Sequence, residues 1–351
     1  MAFALQPPID PMLARLAEEI PRGDDLVYEP KWDGFRTLVY RDGERLHLQS
    51  RNGQPMERYF PELHGPLLDA LPDGAVVDGE LVVGGPTALD FDALLLRIHP
   101  AASRIEKLSR ETPASFVAFD LLAAQGRDLR ALPFEERRRR LASALRTGPR
   151  ILLTPQTADP HLAARWFSRF EGAGLDGVIA KKRSLPYVAG ERVMWKIKHE
   201  RTAECVVGGY RKSTKGEGVA SLLLGLYDGS GVLHYVGHTS AFPARERKAL
   251  LERLRPFEGG HSFGAGRTPG GPSRWSRGRD LGWIALEAKL VCEVRFDQLQ
   301  GNRFRHAARF LRWRPDRDPA SCTFEQLAPP RPFQLRELER LAADAAAHPG
   351  A

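Results

Sequence analysis

Between residues 26 and 54, apolar and polar positions alternate with the two-residue period of half-buried strands. "LVYEPKW", "FRTLVYR" and "RLHLQSR" are three such runs, and Asp42-Gly43 between the last two predicts a hairpin turn. "GAVVDGELVVGG" extends the sheet, with Asp78-Gly79 expected to break its middle, and "ASFVAFDLLAA" adds another apolar strand. Residues 133–146, "PFEERRRRLASALR", open with Pro and acids and end in cations, the polarity of a helix. Within it, Arg137–Arg140 read as a solvated face. A second helix is expected over residues 160–172, followed by the strand-like "LDGVIAKKR" and "ERVMWKIKHERTAECVVGGY".

After His199 the pattern changes. "TAECVVGGYRK", "VASLLLGLYDG", "GVLHYVGHTS", "LVCEVRFDQLQ" and "RFLRWRPDR" are short strands separated by Gly turns, with one helix over roughly residues 243–256. Five strands and a helix suit a small barrel of the OB type, a scaffold that binds nucleic acids. Residues 258–280 are rich in Gly, Ser and Arg and predict a mobile basic loop. The expected organisation is α+β: a sheet domain over residues 1–200, a barrel over 201–330 and a short tail over 331–351.

Composition narrows the class. At 351 residues, 42% apolar and 27% charged, the chain has material for two cores. No apolar run approaches the length of a membrane span, and "MAFALQPPIDPML" lacks the pattern of a secretory signal. Cys205, Cys292 and Cys322 are far apart in the sequence, which excludes a disulfide framework or a CxxC zinc site and predicts reduced thiols in the cytoplasm. The net charge of +8 is uneven. Residues 1–200 hold 28 basic and 28 acidic side chains, whereas residues 201–351 hold 24 and 16. A neutral first part and a basic second part suggest a catalytic body joined to a module that meets a polyanion. An arginine-rich surface with no such partner is the plainer alternative.

Lys31 is the candidate with the sharpest chemistry. It stands in a strand-like run between Pro30 and Trp32, with Asp33 and Gly34 behind it. A lysine has an ordinary pKa of about 10.4, and neighbouring cations or burial make it a better nucleophile. "KIK" puts Lys196 and Lys198 on one face of a strand, where two cations need an anion such as a phosphate chain. Glu80 and Asp176, expected at strand edges beside glycine, suit the hard divalent cation that accompanies a polyphosphate. Each acid taken alone also reads as a turn residue, and Phe119 taken alone reads as a core aromatic.

Together the segments form an ordered set: "KWDG" at 31–34, "SRNG" at 50–53, "DGEL" at 78–81, "FDLL" at 119–122, "DGVIAK" at 176–181 and "KIK" at 196–198. "RHAARFLRWRPDR" follows near the end. This set resembles the covalent nucleotidyltransferases, specifically the ATP-dependent DNA ligases. It is similar to the small bacterial ligases of the C type and to the ligase module of bacterial end-joining enzymes. The resemblance covers nearly all of residues 1–325. It implies an adenylation domain built on antiparallel sheets with flanking helices, followed by an OB-fold DNA-binding domain. By the same resemblance Lys31 carries AMP from ATP, Glu29 sits at the adenine edge and Phe119 stacks on the base. Arg36 and Arg51 contact the nucleotide or a 5′-phosphate, while Lys181, Lys196 and Lys198 serve the nucleotide and its α-phosphate. Glu80 holds the ribose or, with Asp176, a Mg²⁺ or Mn²⁺ ion. Arg314, Asp316 and Arg317 close over pyrophosphate, and the barrel moves about a hinge near residues 199–203. The implied substrate is nicked duplex DNA, handled by a monomer, with DNA repair or end-joining proteins as candidate partners and no membrane.

Two positions depart from the family pattern: Asp176 stands where many members have Glu, and Arg317 where the barrel signature has Lys. RNA ligases and GTP-dependent capping enzymes share KxDG, but the "RFLRWRPDR" ending favours DNA ligase. A catalytically silent OB-fold DNA-binding protein is opposed by the joint presence of Lys31, Glu80, Lys196 and Lys198.

Overall fold

The hairpin turn near residue 43 forms one residue later than expected. The computed structural model describes residues 3, 5–84, 88–170, 175–199, 201–213, 218–260, 262–264, 269 and 282–327. In it Asp42 pairs with Arg45, so the turn is Gly43-Glu44. Gly43 takes φ +59°, a left-handed conformation that glycine adopts without a side-chain clash. The chain divides into two compact units, residues up to 199 and residues 200–328.

The first unit begins with β1 (Leu13–Leu16), β2 (Leu26–Lys31), β3 (Phe35–Asp42), β4 (Arg45–Ser50) and α1 (His64–Ala70). It continues with β5 (Val76–Val83), α2 (Phe91–Leu96), α3 (Ala102–Glu111), β6 (Ala114–Ala124), β7 (Arg127–Asp128) and α4 (Phe134–Ala144). β8 (Ile151–Leu153), α5 (Pro160–Phe170), β9 (Gly177–Lys182) and β10 (Arg192–Lys198) complete it. One sheet has the order β1-β10-β9-β2; the other has the order β4-β3-β5-β6-β7, with β8 beside β6. The pairs β1–β10 and β6–β8 are parallel, the rest antiparallel. A buried cluster joins the two sheets, with Leu38, Tyr40, Val76 and Leu122 from one and Met194 and Ile179 from the other. On its opposite face the first sheet packs Tyr28, Val178, Ala180 and Ile197 against Ala163 and Phe167 of α5. The second sheet packs Val39, Val77 and Phe116 with Leu67 of α1, Leu94 of α2 and Leu141 of α4. Each fully buried leucine or phenylalanine here contributes roughly 1.5–3 kcal/mol.

Three expectations change on this frame. Asp78-Gly79 does not break β5; the strand is continuous, with a register shift at that pair. A Cβ on Gly79 would lie 2.3 Å from the Phe116 ring, so glycine is there to let β6 approach. Glu80 is not at a strand edge, because β5 is paired on both sides, to β3 and β6. The Arg137–Arg140 run is only half solvated. Arg137 is fully buried, 2.8 Å from the buried Asp120 of β6, and Arg138 is buried against the carbonyl of Thr154. A carboxylate inside a sheet requires a charge partner, and α4 supplies it from the face that packs on β6. Arg139 and Arg140 alone face solvent, against Glu136.

The second unit is built from β11 (Arg201–Lys212), β12 (Val219–Tyr227), β13 (Leu233–Thr239), α6 (Ala244–Leu254) and β14 (Ile284–Ala285). It ends with β15 (Val291–Phe296), β16 (Leu299–Gln300), β17 (Arg303–Phe304) and β18 (Arg309–Trp313). The main sheet runs β13-β12-β11-β15-β18, all antiparallel, with β14 beside β11. A bridge between Thr239 and Ala308, with Ala308 N donating to His238 O at 2.9 Å, joins the two outer strands and closes the barrel. Five strands closed in this order, with a helix between the third and fourth, make an OB-fold. Val206, Leu222, Leu224, Val236 and Val294 fill the interior. The three cysteines, distant in sequence, are free, buried and share this core, Cys205 directly opposite Cys292. Most of residues 258–280 and all of 331–351 lie outside the described residues. Among the described residues no helix is long and apolar enough to cross a membrane.

Candidate active site

The sheet register of the first unit decides which side chains meet. Lys31 of β2 and Lys198 of β10 both pair with Gly177 of β9, the strand between them. Glycine at this position lets the β10 backbone approach β9 closely, and the shared register brings the two lysines to one point from either side. Gly177 has φ +129°, and a Cβ there would lie 1.9 Å from the carbonyl oxygen of Ile197. Asp176, one residue earlier and buried, sends Oδ2 to both amines. It contacts Lys31 Nζ and lies 3.1 Å from Lys198 Nζ, while its backbone N–H donates to the Lys31 carbonyl at 2.8 Å. Both lysines remain about one-fifth exposed, so their amines reach solvent.

Two residues along each strand lies the next tier: Glu29, Ile179 and Lys196 are in register and share the same face. Glu29 is buried and paired with Lys181 at 2.7 Å, and Gln156 Nε2 donates to its other oxygen at 3.2 Å. Lys196 has no carboxylate within ion-pair reach among the described residues. Burial first, then Lys198, Lys31 and Arg192, lowers its pKa below the ordinary lysine value. A free, partly desolvated cation beside two others is a strong site for an anion.

The second sheet faces these groups. Arg36 of β3 pairs with Glu80 of β5, two residues from Asp78 on the same face. The Arg36 guanidinium holds Asp78 in a bidentate pair at 2.5 and 2.6 Å and lies over the Phe119 ring at 4.4 Å. Burial opposes its charge, but Asp78 more than offsets that and keeps it firmly protonated. Tyr187 donates to Asp78 at 2.7 Å and accepts from the Met12 backbone at 3.0 Å, which fixes the carboxylate. Lys181 reaches from the first sheet to Phe119, 4.6 Å above its ring, and lies equally close to Phe134. Phe119 is therefore both core and site, clasped by two cations. Glu80 is half-buried and accepts no hydrogen bond among the described residues. Burial pushes its carboxyl up to about 7, against the pull of Arg36 and Lys31.

Nine expected residues thus gather in the first unit: Glu29, Lys31, Arg36, Glu80, Phe119, Asp176, Lys181, Lys196 and Lys198. Arg51 is exposed in the turn after β4. Arg314, Asp316 and Arg317 lie in the second unit, where Arg314 contacts Glu204 and is 2.7 Å from Asp316, and Arg317 is 2.7 Å from Glu204. Sequence reasoning missed Asp78, Tyr187, Gln156, Phe134 and Glu204. Asp78 is inside the quoted "DGEL", and its burial in an apolar strand was a usable signal. The others sit in unremarkable stretches that only the fold brings in.

The comparisons agree with this geometry. Residues 11–198 match the model of the ATP dependent DNA ligase domain, and residues 215–317 match that of the ATP dependent DNA ligase C terminal region. DNA ligase C2 of Mycolicibacterium smegmatis is 50% identical over 345 residues, covering 94% of this chain and 97% of that one. DNA ligase C of Mycobacterium tuberculosis is 48% identical over 357 residues, covering 96% and 99%. The multifunctional non-homologous end joining DNA repair protein LigD of Mycobacterium tuberculosis is 32% identical over 304 residues, covering 85% of this chain and 37% of that one. Among solved structures, one of a Lig E DNA ligase superposes with a TM-score of 0.55 at 18% identity, covering 87% of this chain and 98% of that one; this likeness concerns the fold. The chain belongs to the ATP-dependent DNA ligases.

Proposed function

We propose that Lys31 is the nucleophile of an ATP-dependent DNA ligase that seals nicks in duplex DNA. The carrying observation is the pair Lys31 and Lys198 on one buried carboxylate, with the free cation Lys196 in the next tier. Lys31 Nζ attacks the α-phosphorus of ATP. The Lys31 ammonium first gives up a proton to become the attacking amine. A P–N bond then forms, the P–O bond to pyrophosphate breaks, and the nitrogen gives up a second proton. The product, a lysyl-AMP, has lost the lysine's charge, so Asp176 retains only Lys198. AMP then passes to the 5′-phosphate of the nick, and the 3′-hydroxyl displaces it.

Positioning and charge neutralisation do most of this work. Lys196 and Lys198 neutralise the α-phosphate. Glu29, oriented by Lys181 and Gln156, reads the adenine edge, and Phe119 stacks on the base from between Arg36 and Lys181. Arg36, braced by Asp78, and Arg51 serve the nucleotide or the 5′-phosphate. Arg314, Asp316 and Arg317 act on pyrophosphate, for which Arg314 and Arg317 exchange their contacts with Glu204. In this reading the barrel moves about a hinge at residues 199–203.

A divalent cation, Mg²⁺ or Mn²⁺, supplies charge neutralisation to the triphosphate when bound. Glu80 fits such an ion, being a half-buried carboxylate without a partner among the described residues. No group of three or more His, Cys, Asp or Glu among the described residues is arranged to hold a metal alone. Phosphate oxygens and water would supply the remaining ligands. Asp176, paired here with Lys31 and Lys198, would be the second carboxylate available to the ion. The free cysteines suit a reducing compartment, the cytoplasm. The enzyme acts as a monomer in DNA repair, with repair or end-joining proteins as partners.

The test is covalent labelling. Incubation with ATP labelled at the α-phosphate should leave AMP on the wild-type protein and none on Lys31→Ala. A labelled Lys31→Ala protein sinks the assignment. The isolated adenylated enzyme, given nicked duplex DNA without ATP, should seal it once per bound AMP.

A further inference from the structure

Most strongly placed arginines at the end of the barrel chain are matched by acids: Arg312 by Glu293, and Arg314 and Arg317 by Glu204. Three basic side chains elsewhere on the barrel, two arginines and a histidine, have no such match among the described residues. Arg211 lies on β11 opposite Ser221 of β12, and His238 lies on β13 opposite Leu223 of the same strand. Ser221 and Leu223 are two residues apart, so Arg211 and His238 flank β12 on one face. Arg303 of β17 joins them, its guanidinium 4.6 Å above the Tyr235 ring. None of the three has a carboxylate within ion-pair reach among the described residues. Arg211 Nε is buried and donates to no acceptor among the described residues. Buried donors are nearly always paired, so this one remains available to an acceptor.

Arg303 also borders a cavity of about 580 Å³, lined with the rings of Tyr227, His234, Tyr235 and Phe324 and with the carboxylates of Asp228 and Glu325. The site therefore offers basic groups on one side and, on the other, aromatic surface with two acids, of which Asp228 is held by His234 at 2.6 Å. Inorganic phosphate would use only the first; a nucleotide strand would use both, because sugars and bases rest on aromatic rings. The geometry points to a backbone-phosphate cradle on the barrel, in which Arg211, His238 and Arg303 grip one phosphodiester of the DNA strand. This rests on the ligase reading and adds a subsite to it.

The cradle makes DNA binding respond to pH. Burial first, then Arg211 and Arg303, lowers the pKa of His238, so the free protein carries a neutral imidazole at pH 8. The charges acting on that imidazole are Arg211 from β11 and Arg303 from β17. A phosphate placed among them favours the imidazolium, which couples proton uptake to binding. Affinity therefore rises as pH falls.

The experiment is fluorescence anisotropy with nicked duplex DNA at fixed ionic strength, on the full-length protein and on variants with wild-type melting curves. Arg303→Gln should weaken binding roughly 5–10-fold and reduce the slope of log K against log salt by about 0.9, one phosphate contact. Arg303→Lys, which retains the charge, should restore the slope. Between pH 8 and pH 6, wild type should gain roughly 3–10-fold more affinity than His238→Gln, since one added charge acts at one phosphate. If Arg303→Gln and His238→Gln keep the wild-type affinity, salt slope and pH profile, the cradle is wrong and the ligase reading stands. A wild-type protein without DNA affinity overturns both. Displacement of DNA by millimolar inorganic phosphate at constant ionic strength overturns the assignment to a strand.

Discussion

Gly34, the last residue of "KWDG", tests how closely the nucleophile's position depends on packing. Its φ is not left-handed, so the requirement is for space rather than conformation. A Cβ at Gly34 would lie 2.1 Å from the Leu81 carbonyl oxygen and 2.9 Å from Glu80 Cγ. Comfortable contacts are about 3.5 Å, so the turn between β2 and β3 must lift from β5 by roughly 1 Å. The turn starts at Lys31, and β5 carries Glu80, so Gly34→Ala moves the amine relative to the carboxylate. Overpacking of this kind costs about 2 kcal/mol, or roughly 4–8 °C in Tm for a unit of this size. Misplacing a reacting group by about 1 Å costs ~10²-fold in rate. The assay is single-turnover adenylation at saturating ATP, beside a melting curve on the same preparation. At 25 °C, well below the shifted Tm, adenylation should fall far more than the folded fraction. A Gly34→Ala protein that labels at the wild-type rate would refute the claim that the turn's fit against β5 sets the position of Lys31.

Two further outcomes follow from the titration and pairing of buried groups. Glu80 has its carboxyl raised to about 7 from 4.5, so the native state holds a proton that the unfolded chain has released between those values. Its contribution to stability is present in full below pH 4.5 and is lost as pH rises through 7. Wild type should lose Tm relative to Glu80→Gln over that window, while adenylation in wild type rises through pH 7 and the variant lacks that step; parallel Tm profiles would contradict the assigned shift. Arg137→Met leaves Asp120 buried without a partner and should cost roughly 3–5 kcal/mol in urea unfolding. The double variant Arg137→Met/Asp120→Asn should recover a large part of that loss, and additive losses would show that the pair is not coupled.

What was legible in the sequence was whatever periodicity or a short motif carries. The strands around Lys31, β6, the helices α4 and α5, and the barrel strands are local patterns, and the motif lysines lie on them. The parallel additions β1 and β8 were not legible, because short strands of three or four residues carry no period of their own. The register that puts Gly177 between Lys31 and Lys198 is a long-range fact; the motif order names the residues but not their neighbours. Arg137 shows the same limit from the other side. Four consecutive arginines look alike along a chain, and only the helix's seat on β6 buries the first two and leaves the others in water. Asp78 and Glu80 differ for a similar reason: both project from one face of β5, but Arg36 and Tyr187 complete the first and leave the second open.

The gathering of Cys205, Cys292 and Cys322 inside the barrel has a practical consequence for following the enzyme's own motions. Every thiol of the chain is in the second unit, and burial pushes the Cys322 thiol up to about 11 and also raises the other two. Thiolates react and thiols largely do not, so a labelling reagent meets nothing until the barrel opens. The three cysteines are thus a built-in clock for unfolding of that unit alone. The first unit, free of cysteine, stays silent in the same measurement, and the rate of thiol modification reports barrel opening with no engineered probe.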